Sequence, residues 1–204
     1  MSKSSRNNFK SGDFFTVQAR KKGYRARSAF KLLEISKQDN LFRQGMKVLD
    51  LGSFPGGWSQ VASDLVGNSG LVVAIDRQKM QPIKNTHFIQ MNMQDLDLNK
   101  GSQSLGNNSF DLVLSDLAPN ISGIQEKDDA EMIALIKKVF KISENYLKQK
   151  GHLLIKVFQG QSFKFTKNYM DSNFQRVKIR KPDSSRSVSS ETYLLACEKN
   201  DYRL

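Results

Sequence analysis

Four residues far apart in the chain could act together on a hydroxyl group: Lys31, Asp116, Lys156 and Glu191. Each is ordinary by itself. A lone lysine or glutamate is usually a solvated surface group, and Asp116, in "SDLAPN", stands among turn-forming residues. Lys156 is less ordinary, because it lies inside the apolar run "HLLIKVF", where a cation is costly unless paired or used. Two ammonium groups and two carboxylates make a neutral set suited to orienting a hydroxyl and removing its proton. Whether they meet depends on the elements that carry them.

A second signal is the loop "DLGSFPGGWSQ" (50–60), in which Gly52, Gly56 and Gly57 let backbone approach a ligand closely ahead of a helix N-terminus. Its spacing is neither the dinucleotide fingerprint nor a phosphate loop. Asp50, before the first glycine, would repel a pyrophosphate but suits a cationic ligand such as a sulfonium with its ammonium group. Asp76 closes the next apolar run, where an acid accepts ribose hydroxyls. S-adenosylmethionine meets these needs together. Trp58, the only tryptophan, either covers the cofactor or packs the helix start.

Short apolar runs alternate with amphipathic stretches. Strands are expected at 47–52, 70–76, 86–91, 110–116, 152–158, 174–181 and 191–199. Helices are expected at 25–38, where Ala26, Phe30 and Leu33 recur at helical spacing, and at 57–67. A longer one spans 128–150, acidic at its start and lysine-rich at its end, and a weaker one follows the fifth strand. This order predicts an α/β fold, a mostly parallel sheet with helices on both faces. It resembles the seven-stranded, Rossmann-like methyltransferase topology, which implies an antiparallel last strand beside strands four and five. Ligands in such sheets bind beyond the carboxyl ends of the strands. There the end of strand four (Asp116), the later part of strand five (Lys156) and the start of strand seven (Glu191) would meet, with Lys31 arriving from the first helix.

The 204 residues fit a single domain, here 23–204, preceded by a basic, partly flexible arm at 1–22. The net charge is +12, of which residues 1–31 supply +8, nine basic residues standing against Asp13 alone. Arg20, Lys21, Lys22, Arg25 and Arg27 form one candidate RNA-binding cluster, and Arg180, Lys181 and Arg186 a second. Two basic clusters in an otherwise balanced chain point to a nucleic-acid partner. With no signal-peptide pattern and no run long enough to span a bilayer, a cytoplasmic protein without membrane contact is expected. The one cysteine, Cys197, reads as a core residue, and the spacing of His87 and His152 suggests no metal.

The segments "YRARSAFKL", "DLGSFPGGWSQ", "SDLAPNISG", "KVFQG" and "RKPDSSRSVSSETY" resemble the FtsJ/RrmJ (RlmE) family of ribosomal RNA large-subunit methyltransferases over about residues 24–197. That resemblance implies transfer of a methyl group from S-adenosylmethionine to a ribose 2′-hydroxyl. The substrate it implies is a uridine in the A-loop of 23S rRNA, within the 50S subunit, and the enzyme would act as a monomer. The family's Lys-Asp-Lys-Glu tetrad falls on Lys31, Asp116, Lys156 and Glu191. Its cofactor contacts fall on Gly56, Trp58, Asp76 and Asp116, and the loop adds Asp50, Gly52, Pro55 and Gly57 to the candidate set. Where the family usually carries an acid near the adenine, this chain has Asn92, whose carbonyl accepts amino hydrogens without a charge. A tRNA substrate and a non-catalytic RNA-binding role are the alternatives.

Overall fold

The computed structural model describes residues 14–93, 95, 105, 109–185 and 189–201. Seven strands form one sheet: β1 (Lys47–Leu51), β2 (Leu71–Asp76), β3 (Thr86–Gln90), β4 (Phe110–Ser115), β5 (Leu147–Phe158), β6 (Phe174–Arg180) and β7 (Glu191–Lys199). Their spatial order is β3-β2-β1-β4-β5-β7-β6. The pairs from β3 through β5 are parallel, and β7 runs antiparallel to both of its neighbours. The expected fold class is therefore the observed one. The chain moves outward from β1 to β3 and returns to the other side of β1 with β4. This reversal opens the crevice in which such sheets take ligands.

The helices are α1 (14–21), α2 (Ser28–Asp39), α3 (Gly57–Val66), α4 (Gln125–Tyr146) and α5 (Gln161–Asn173). Alternation along the strands divides the core in two. Val48, Val72, Leu112, Leu114 and Leu154 pack with Leu32, Ile35, Val61 and Val66 of α2 and α3. On the other face, Leu49, Val73, Val113, Leu153 and Ile155 pack with Met132, Ile136, Val139 and Met170 of α4 and α5. Burial of both faces explains the near-continuous apolar runs of the central strands.

Three details differ from the sequence reading. Residues 14–21, assigned to the basic arm, form a helix with Ala19 buried and the Phe15 ring 5.6 Å from that of Phe30. The most buried positions of α2 are Ala29, Lys31, Leu32 and Ile35 rather than Ala26, Phe30 and Leu33, so Lys31 lies on the inward side. The long helix ends at Tyr146, and Lys148 and Lys150 belong to β5, so no basic residue stands in its last turn. Lys199 of β7 does that work instead, donating to the carbonyls of Ser143, Glu144 and Leu147 at 2.9, 2.9 and 3.1 Å. Among the described residues no helix is long and apolar enough to cross a membrane.

Candidate active site

The register of the sheet aligns Leu51, Ile75, Ser115 and Ile155 across β1, β2, β4 and β5, so the ends of these strands share one edge. Period-two alternation puts Asp50 on the same face as Val48, beneath α3, where it is fully buried. Its Oδ2 accepts the Ser59 hydroxyl at 2.6 Å, and its Oδ1 has no hydrogen-bond partner. Burial pushes its pKa up to about 7; the Ser59 hydrogen bond opposes this, and the charges of Asp116 and Asp76 add to it. A buried carboxylate with one oxygen unanswered fits a cationic ligand group and would be poor company for a phosphate.

The chain leaves β1 through Gly52, at φ +78°, where a Cβ would fall 2.6 Å from Leu117 Cδ2. Pro55 follows Phe54 in the turn, Gly56 at φ +111° is the N-cap of α3, and Gly57 begins the helix against Ala26. Asp76 braces the loop by accepting the Phe54 N–H at 3.0 Å and the Gln78 N–H at 2.8 Å. A cleft of about 710 Å³ opens here, lined by Gly52, Phe54, Asp76, Asn92, Asp116 and Lys138 among others. Asn92 lies on the wall of this cleft. Trp58 does not cover the cleft with its ring. It is 2% exposed, its indole N–H donates to Ser28 O at 2.9 Å, and its ring packs 5.6 Å from that of Tyr193. The Trp58 side chain packs in the apolar seam between α2, α3 and the sheet.

Further along the edge, the other four residues meet. Antiparallel pairing sets Lys156 opposite Tyr193 and Phe158 opposite Glu191. Lys156 Nζ lies 3.0 Å from Asp116 Oδ1 and donates to Asp116 O at 2.6 Å. Lys31 Nζ pairs with Glu191 Oε1 at 2.5 Å. Both lysines are buried, at 9% and 8% exposure. Burial alone would raise the Glu191 pKa, but Lys31, first by charge and then by hydrogen bond, and Lys156 outweigh it and hold the carboxyl below its ordinary value. The Tyr193 hydroxyl stands between the two ion pairs, 3.3 Å from Asp116 Oδ1 and 3.1 Å from Glu191 Oε1. Burial first, then these two negative charges, pushes its pKa well above the ordinary tyrosine value. The sequence reading missed Tyr193. Its position two residues after Glu191 on a strand, hence on the same face, was the available signal.

The basic residues divide. Arg20 and Lys21 are exposed on α1, and Lys22 is exposed with its ammonium 5.6 Å from the centre of the Phe30 ring. Arg25 instead donates to the carbonyls of Gln81 and Pro82 at 2.6 and 2.7 Å, and Arg27 to Ser184 O at 3.0 Å. Arg180 grips the Asp39 carboxylate with two hydrogen bonds of 2.7 Å, joined by Lys178 at 2.9 Å. Lys181 is exposed and donates to Ser189 O, and Arg186 lies outside the described residues. Arg25, Arg27 and Arg180 therefore hold the fold together whatever else they touch. Among the described residues no cluster of His, Cys, Asp and Glu could hold a metal ion.

A seven-stranded sheet with a reversed seventh strand, acids closing β1 and β2, and a glycine loop between β1 and α3 define a Rossmann-like methyltransferase. The model of the FtsJ-like methyltransferase family matches residues 24–199, and the chain belongs to that family. A relative from Dechloromonas aromatica named Ribosomal RNA large subunit methyltransferase E is 44% identical over 184 residues, 90% of each chain. One of the same name from Nitrosospira multiformis is 43% identical over 190 residues, 93% of this chain and 92% of its own. A solved chain from Plasmodium falciparum, assigned as a ribosomal RNA methyltransferase, superposes with a TM-score of 0.76 at 28% identity. The match covers 86% of this chain and 98% of that one.

Proposed function

We propose that this protein methylates the ribose 2′-hydroxyl of a uridine in the A-loop of 23S rRNA, acting on the large ribosomal subunit with S-adenosylmethionine as donor. The observation that carries the reading is the meeting of two lysine–carboxylate pairs beside a cleft lined by Gly52, Asp76, Asn92 and Asp116, with the buried Asp50 behind the same strand edge. When bound, the cofactor supplies an electrophilic methyl group on a sulfonium. Asp50 would answer its positive charge, Asp76 would receive the ribose hydroxyls, Asn92 would accept from the adenine amino group, and the Gly52–Gly57 loop would allow close backbone approach.

Lys156 is assigned as the group nearest the reacting oxygen and as its general base. Asp116 fixes that nitrogen through a carboxylate oxygen and a backbone carbonyl, which leaves Lys156 one direction in which to face substrate. Lys31 and Glu191 orient the ribose from the other side, and Tyr193 holds the two carboxylates in register. The exposed Arg20, Lys21, Lys22 and Lys181 would meet phosphates, which confers affinity and salt dependence without sequence choice. Transfer of labelled methyl to purified large subunits lacking the modification, with tRNA in parallel and the product sugar mapped, tests the reading. Label on a 23S rRNA ribose supports it. Label on a base, or on tRNA alone, overturns it.

A further inference from the structure

A second cavity, of about 560 Å³, opens on the α4–α5 side of the same edge. Glu126 in the first turn of α4 and Asp129 just beyond it, Gln159 and Gly160 after β5, and Gln161 and Phe163 at the start of α5 line it. Its walls are braced. Asp129 Oδ1 accepts the Ser162 N–H at 3.2 Å, tying α4 to α5. Gly160 has φ +140°, and a Cβ there would lie 3.0 Å from Asp129 Oδ2, so the close approach requires glycine. The Gln159 N–H donates to Ser190 O and its side-chain amide to Thr192 Oγ1, both at 3.1 Å. The cavity wall is thus bonded to both chain neighbours of Glu191.

Position and lining chemistry narrow the occupant. Gln159 is three residues beyond Lys156, about 10 Å along a strand. A nucleic acid presenting a ribose to Lys156 would pass this opening where it continued beyond the end of β5. Glu126 and Asp129 outnumber the one cation, Lys164, so the lining disfavours a phosphate. Glutamine amides suit the edge of a base, the Phe163 ring suits its face, and carboxylates accept hydrogens from an exocyclic amine. Uracil has no such amine.

We propose that this cavity holds the base of a nucleotide adjoining the methylated one and favours a base with an exocyclic amino group, namely adenine, guanine or cytosine. The proposal rests on the RNA reading above and deepens it, because it places sequence choice in a site separate from the four reacting residues. The test is a double variant, Glu126→Ala with Gln161→Ala, both exposed and outside the tetrad and the cofactor cleft. Steady-state methylation of large subunits should show KM for the subunit raised about tenfold, with KM for S-adenosylmethionine and the melting temperature unchanged. Subunits in which amine-bearing bases beside the target are exchanged one at a time for uracil should lose about tenfold in kcat/KM with the wild-type enzyme at one position. The double variant should show no such preference. A double variant with wild-type KM, or a wild-type enzyme indifferent to every adjoining base, overturns the proposal. If the wild-type protein methylates no RNA the functional reading itself fails, whereas normal wild-type activity with an indistinguishable variant removes only the base site.

Discussion

The two ends of the candidate active site treat charge differently. At the β4–β5–β7 end, Lys156 faces Asp116 and Lys31 faces Glu191, with Tyr193 bridging the carboxylates. At the β1–β2 end, Asp50 is more deeply buried than either of those carboxylates, but leans on a single hydroxyl and leaves one oxygen unanswered. The first end is electrostatically complete in the protein alone. The second is completed by a proton or by an arriving cation. The difference assigns the reacting geometry to the fold and the cofactor's charge recognition to a stored imbalance, so the two should separate under mutation.

The largest separation is expected from Lys156→Ala. Methyl transfer should fall by roughly 10²–10⁴-fold in single-turnover assays, the range for removing a positioned general base. Asp50→Asn should weaken cofactor binding by about 10–100-fold, the loss of a charge-assisted contact of about 1.5–3 kcal/mol. The same substitution should stabilise the cofactor-free protein. The native Asp50 binds its proton up to about pH 7, well above its ordinary range, so the native state holds more protons than the unfolded state between about pH 4 and 7. Stability contributed at this position therefore falls as pH rises through that window, and Asp50→Asn should raise the melting temperature more at pH 8 than at pH 4.5.

A pH series sharpens the contrast further. A cationic ligand selects the ionised Asp50, so cofactor affinity should rise up to about tenfold per pH unit below pH 7 and level off above it, measured by calorimetry. A flat profile between pH 6 and 8 would remove Asp50 from the cofactor's charge recognition. The smallest effects concern the basic residues. Arg180→Ala should destabilise by roughly 2–3 kcal/mol, less than the ~3–5 of an orphaned buried charge, because Lys178 still answers Asp39. Arg20→Ala or Lys21→Ala should leave stability unchanged and reduce the salt dependence of RNA binding by about one ion each.

Much of this was legible in the residues. All seven strands announce themselves as apolar runs because the sheet is covered on both faces. Alternation with helices gave a mostly parallel sheet, and the resemblance to the methyltransferase topology supplied the neighbours of the last strand. The convergence of Lys31, Asp116, Lys156 and Glu191 was readable once strands four, five and seven were set side by side. The end of α4 was not, because "LKQK" continues a helical charge pattern while the stabilising cation comes from Lys199, over fifty residues away. Helix α1 was hidden by its charge, although Phe15 and Ala19 carry a packed face. Trp58 read equally well as a cover or as core, since a tryptophan after a glycine loop serves either role. Arg180 read as an RNA contact because its partner, Asp39, is 141 residues distant.

The separation of the two ends is tested most directly by binding S-adenosylmethionine to Lys156→Ala and Asp50→Asn side by side in a calorimeter at pH 8. Wild-type affinity for Lys156→Ala with at least tenfold weaker binding for Asp50→Asn is the expected result. Lost binding in Lys156→Ala with undiminished binding in Asp50→Asn would contradict the account.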